Sequence, residues 1–325
     1  MKFQSEPLSK FSSQIKFALD NYKPHNYKFE NYENILLCGL GGSGIAGRIV
    51  KSYFYSLSKL PIEIVSDYTL PAYTSEKTLC FICSYSGDTE ETLSMYEAAK
   101  TNKATLIAIS TGGLIGKKSL EDSVIFYNAE KGFSPRMALG YSLTYLLLAF
   151  GELFGKDMRA ELESAVKLLS DTKPYIAESE KLITSLKNDY KKKFAVITDS
   201  QSAPAGLRFC QQLQENAKAE AFIHELPEAN HNVIESYYGI IDSAFILLDS
   251  HVHAKTSMRF SFLENLLKEN GCSVLRYDMH AHDLQSLLDT IYIFDWLSLQ
   301  VANLKGVNSV DIQNINKLKK FLAGQ

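Results

Sequence analysis

Ser84, Ser86, Thr89 and Thr92 fall within the nine-residue stretch SYSGDTEET, directly after the apolar run TLCFIC. Four hydroxyls at this spacing, with no Lys or Arg among them, suit hydrogen bonding to one anion at the start of a helix. The backbone amides there add partial positive charge. An N-cap needs only one such hydroxyl. Neutral donors without a lysine suggest a monophosphate. A nucleoside triphosphate with Mg²⁺ calls for G-x-x-x-x-G-K-[ST], which the chain lacks. A second loop, GLGGSG, matches G-x-G-x-x-G through Gly39, Gly41 and Gly44, and it presents Gly42 and Ser43 to the same end of a sheet. Taken alone, that loop reads as a dinucleotide site with Asp67 as ribose partner, or as a structural turn.

Acid/base candidates lie in the second half. Glu215 sits in LQENAK on an amphipathic helical pattern, and His231 follows sixteen residues later in the turn-rich PEANHN. By residue type alone these are a surface glutamate and a solvated loop histidine. Two H-x-H pairs, His251/His253 and His280/His282, stand near strand ends, but no carboxylate or cysteine in the sequence completes either set, so no metal is expected. Cys80 and Cys83 form a C-x-x-C inside an apparent strand. Residues three apart there point to opposite faces, so both read as core cysteines.

These residues hang on a regular alternation. NILLCGL, PIEIVSDY, TLCFICSYS, ATLIAIST and SVIFYN read as strands separated by amphipathic helices. The long apolar segment Met137–Phe154 reads as a buried helix closing the set. The rhythm restarts at KKFAVITDS and ends in another long helix. Strands this apolar, alternating with helices, indicate parallel sheets covered on both faces. The expected fold is α/β, two tandem doubly wound parallel-sheet domains of flavodoxin-like order. Residues 1–155 carry the hydroxyl loops, and residues 156–325 carry Glu215 and His231. Ligands in such folds sit beyond the carboxyl ends of the strands.

Composition fits that picture. The 325 residues are 46% hydrophobic and 22% charged with net charge −3, which leaves no basic footprint for nucleic acid or an anionic membrane. The N-terminus lacks an apolar signal core, and Met137–Phe154 is interrupted by Tyr, Ser and Thr, so no membrane span is expected. Five cysteines without disulfide spacing suggest a cytoplasmic setting.

GLGGSGIAG, SYSGDTEETL, QENAK, LPEANHNVIE and the terminal INKLKKFL together resemble the bifunctional phosphoglucose/phosphomannose isomerases, members of the sugar-isomerase (SIS) superfamily, over nearly the whole chain. The resemblance implies an aldose–ketose isomerase that interconverts glucose 6-phosphate and mannose 6-phosphate with fructose 6-phosphate, without cofactor. It implies Glu215 as the base, His231 and Lys319 in ring opening, and Arg136, in SPRMALG, facing the enediolate. It also implies a homodimer with shared sites. Lys317 and Lys320 flank Lys319. Arg48 stands where relatives often carry an acid, and only Ser309 lies near the position of a C-terminal threonine linked to handling both epimers. A nicotinamide-dependent dehydrogenase and a sugar-phosphate-sensing module are the alternatives.

Overall fold

The computed structural model describes residues 4–324 apart from 187, 240 and 282. The chain divides into two compact units, one of Ser9–Asp171 and one of Thr172–Gln325 with Met1–Leu8.

In the first unit, β1 (Asn34–Cys38), β2 (Ile62–Val65), β3 (Thr78–Cys83), β4 (Thr105–Ser110) and β5 (Ile125–Asn128) form a wholly parallel sheet of order β2-β1-β3-β4-β5. Period-two alternation divides its side chains between two cores. Leu36, Cys38, Cys80, Ile82, Leu106 and Ala108 pack against Met95, Tyr96 and Ala99 of helix Glu90–Thr101 and Ile115 of helix Gly113–Glu121. Leu37 and Phe81 face the other way. A Cβ on Gly47 of helix Gly41–Tyr53 would lie 3.2 Å from Leu37 Cβ, and the ring of Phe150 in helix Leu139–Phe154 packs tilted against Phe81 at 5.3 Å between centroids. Leu139–Phe154 is buried at fourteen of its sixteen positions, all except Glu152 and Phe154. Glu152 accepts from the amides of His25 and Asn26 and from Tyr22 Oη, so its charge is compensated locally. No helix among the described residues is long and apolar enough to cross a membrane.

The C-x-x-C splits between faces as its spacing requires. Cys80 joins Cys38 in one core while Cys83 does not, and burial pushes the Cys83 thiol up to about 12.

In the second unit, β6 (Lys193–Thr198), β7 (Ala221–Glu225), β8 (Ser243–Asp249) and β9 (Val274–Asp278) are again parallel, in the order β7-β6-β8-β9. This repeats the first four positions of the other sheet. Helix Ala254–Glu269 covers one face through Phe260, Leu263 and Leu267. Helices Ala203–Ala217 and Leu284–Leu304 cover the other, with Phe209 4.8 Å from Phe294. Gly206 admits this approach, because a Cβ there would fall 2.4 Å from Thr198 Cγ2. The polar stretch after Phe154 forms two helices, Arg159–Leu169 and Lys173–Ser185.

Candidate functional site

In a sheet of this order the chain leaves β1 toward one side and β3 toward the other, so the crevice beyond their carboxyl ends is the natural ligand position. Both hydroxyl loops open there. After β1, Gly39 lies so close to the end of β3 that a Cβ would stand 2.9 Å from Cys83 O, and Gly41 has φ +52°. Helix Gly41–Tyr53 starts without a side-chain cap on its amides. After β3, Ser84 Oγ and Thr89 Oγ1 are 2.9 Å apart, and Ser84 Oγ also accepts from Gly87 N at 3.2 Å. Thr89 is the N-cap residue of helix Glu90–Thr101 but makes no side-chain cap bond. Its hydroxyl is turned to Ser84, and a second set of amides is left uncapped beside the first. Ser86 is exposed and accepts from Asp88 N, while Ser43 is buried. Thr92 is fully buried, and its Oγ1 lacks a hydrogen-bond partner.

Two features around this crevice were not visible in the sequence. The loop after β3 is stitched to the loop after β4: Thr111 N donates to Tyr85 O, Ile115 N to Gly87 O, and Leu114 N to Asp88 Oδ1. Gly87 must be glycine, since its φ is +80° and a Cβ would lie 1.9 Å from Gly112 O. The other feature concerns Arg136, which lies in the short turn Pro135–Met137 and is 4% exposed. A Cβ on Gly42 would meet Pro135 O at 2.8 Å, so this glycine lets the Arg136 turn rest on the start of helix Gly41–Tyr53. Asp67, the ribose candidate, is exposed and accepts from Tyr68 N.

The equivalent crevice of the second sheet, between β6 and β8, is filled by the chain itself. Asp199 is 1% exposed. Its Oδ1 accepts from the amides of Gln201 and Ser202, and its Oδ2 from the amide and hydroxyl of Ser250. An internal carboxylate satisfies the donors that would otherwise face an anion there.

Glu215 is half-buried in the last turn of helix Ala203–Ala217. That turn lies at the amino ends of the strands, for Gln214 Nε2 donates to the carbonyl of Ala221, the first residue of β7. His231 is exposed, in a turn that follows the carboxyl end of β7, where Leu226 N donates to Thr198 O. The two residues are therefore at opposite edges of one sheet. Lys319 belongs to helix Gln313–Ala323, whose segment of approach is tied to the Glu215 edge by Lys218 Nζ donating to Asp311 O. Ser309 is fully buried and its Oγ accepts from Gln4 N.

The first histidine pair is split between different partners, since His251 Nδ1 faces Ser257 Oγ at 3.1 Å. His253 Nδ1 accepts from Lys255 N, and His282 lies outside the described residues. His251 does have carboxylates beside it: Asp249 and Asp278 are close enough to share a metal ion with it. A guanidinium already holds these oxygens, Arg276 reaching Asp249 Oδ2 at 2.7 Å and Asp278 Oδ1 at 2.9 Å.

Fold and crevice define a pair of SIS-type units. The SIS domain model matches residues 28–149, and the model for the bacterial phospho-glucose isomerase C-terminal SIS domain matches residues 177–322. The chain is 33% identical over 312 residues to a bifunctional phosphoglucose/phosphomannose isomerase of Caldicellulosiruptor bescii, covering 92% of each chain. It is 31% identical to the protein of the same name from Thermoplasma volcanium, covering 98% of this chain and 99% of that one. The chain belongs to the bifunctional phosphoglucose/phosphomannose isomerase family. The fold also matches that of glucosamine-6-phosphate deaminase from Thermotoga maritima at 15% identity, with a TM-score of 0.73 over 94% of this chain and 96% of that one.

Proposed function

We propose that this protein is an aldose–ketose isomerase, interconverting glucose 6-phosphate and mannose 6-phosphate with fructose 6-phosphate. The observation that carries the reading is the Ser84–Thr89 hydroxyl pair between two helix starts without side-chain caps, in a chain of this family. Ser43, Ser84, Ser86 and Thr89, with the Gly42 amide, bind the substrate phosphate. Thr92, whose buried hydroxyl lacks a partner, completes the set.

Glu215 takes the proton from C2 of the open aldose. The electron pair moves through the C1–C2 bond to the carbonyl oxygen, giving a cis-enediolate. Glu215 returns the proton to C1 while the hydroxyl proton on O2 passes to O1, so that O2 becomes the ketone and O1 the hydroxyl. Arg136 stabilises the oxygen on which charge builds. His231 and Lys319 move the proton from the anomeric hydroxyl to the ring oxygen when the ring opens. Substrate and product share one oxidation state, so the reaction needs no cofactor. Because Glu215 and His231 lie at opposite sheet edges, a site that uses both takes them from two copies, and the working form is a homodimer. Free cysteines throughout the described chain accord with a cytoplasmic setting.

A coupled assay with fructose 6-phosphate tests the reading. Formation of glucose 6-phosphate and mannose 6-phosphate, unaffected by chelator, is expected. Folded protein that binds the sugar phosphate without turnover would make it a sensing module. Saturable NADH fluorescence without isomerisation would make it a dehydrogenase.

A further inference from the structure

We infer that Lys218 is a positioning residue that holds the backbone of Glu215 against the segment leading to the C-terminal helix. The inference rests on Glu215 being the base. Lys218 closes helix Ala203–Ala217 with φ +51°, in the left-handed region that favours glycine. The turn is well made, with both Lys218 N and Ala219 N donating to Leu213 O. A glycine would make it with less backbone strain. What lysine adds is its side chain. The left-handed turn folds it back over the helix end, where Nζ donates to the carbonyl of Glu215 and to that of Asp311. Lys305 Nζ in turn donates to the carbonyl of Lys218 at 3.0 Å.

The other neighbour of Glu215 is held as well. Asn216 is fully buried, and its Nδ2 donates to Ser298 Oγ, which donates to Asp295 O. Glu215 is thus fixed from one side by helix Leu284–Leu304 and from the other by a cation bridging two carbonyls. Asp311 stands two residues before helix Gln313–Ala323, which carries Lys319. The same bridge sets the starting point of that helix.

Lys218→Gly removes the side chain and relaxes the backbone. The expected result is an unchanged or raised Tm, a fall in kcat of at least about tenfold, and a KM for fructose 6-phosphate within about threefold of wild type. Lys218→Arg, which keeps the donors, should recover most of the lost kcat. An ordinary helix cap would show the reverse pattern, with Tm moving and kcat unmoved. A Gly variant with near wild-type kcat overturns the inference, as does one whose loss is matched by a fall in Tm or a rise in KM. An inactive wild-type protein, or a Glu215→Gln variant that turns over normally, would instead overturn the proposed reaction.

Discussion

Glu215 and His231 stand at opposite edges of the same four-stranded sheet, one at the amino ends of β6 and β7 and the other beyond the carboxyl end of β7. The fifteen-residue helix that carries Glu215 spans roughly 22 Å, and the five residues of β7 that lead back toward His231 rise about 17 Å. Side chains do not cross that distance. Mixing Glu215→Ala with His231→Ala protein should therefore restore activity. In the mixed dimer one site carries both lesions and the other carries none. A mixture as inactive as its parents, after subunit exchange is verified by mass, would refute a shared site.

The base itself is tested by shape. Gln keeps the outline of Glu but does not accept the proton. Glu215→Gln should lower kcat by orders of magnitude, with a much smaller change in KM, and abolish exchange of the C2 hydrogen with deuterated water. Retained exchange would remove Glu215 from the role.

Hydroxyl donors to a phosphate each contribute about 1.5–3 kcal/mol, so Ser86→Ala and Thr89→Ala should each raise KM by roughly tenfold or more. An unchanged KM in the folded double variant would discard the cradle.

Gly42 is set against Pro135 O with no room for a methyl group. Gly42→Ala should displace the Arg136 turn, lowering kcat and costing about 1–3 kcal/mol of stability. Steady-state kinetics and thermal unfolding measure both. Wild-type values in each would show that the turn does not need this contact.

Cys38, Cys80, Cys83 and Cys210 are buried, and burial pushes the Cys83 and Cys210 thiols up to about 12. Native protein exposed to iodoacetamide should be modified at Cys272 first, with the other four reacting only on unfolding. Early modification of Cys80 or Cys83, located by peptide mass, would contradict the core reading of the C-x-x-C.

Much of this protein was legible in its residues. Parallel strands buried on both faces appear as unbroken apolar runs, so NILLC, TLCFIC and TLIAIS declare themselves locally. The hydroxyls of SYSGDTEET and the glycines of GLGGSG were readable for the same reason, since each set belongs to one turn. Boundaries were less so. The helix after β1 begins at Gly41, within the glycine loop itself, where φ is +52°.

What tertiary structure alone decided is which distant residues meet. Asp199 and Ser250 are fifty-one positions apart, and only the pairing of β6 with β8 makes the carboxylate an internal anion that fills the second crevice. Asp249 and Asp278 flank His251 because β8 lies beside β9, and the same pairing lets Arg276 of β9 reach Asp249. The separation of Glu215 from His231 is of this kind too. Sixteen residues apart in sequence, they could have shared a turn. A parallel crossover sends the chain down a helix and back up a strand, and that path places them at opposite ends of the sheet.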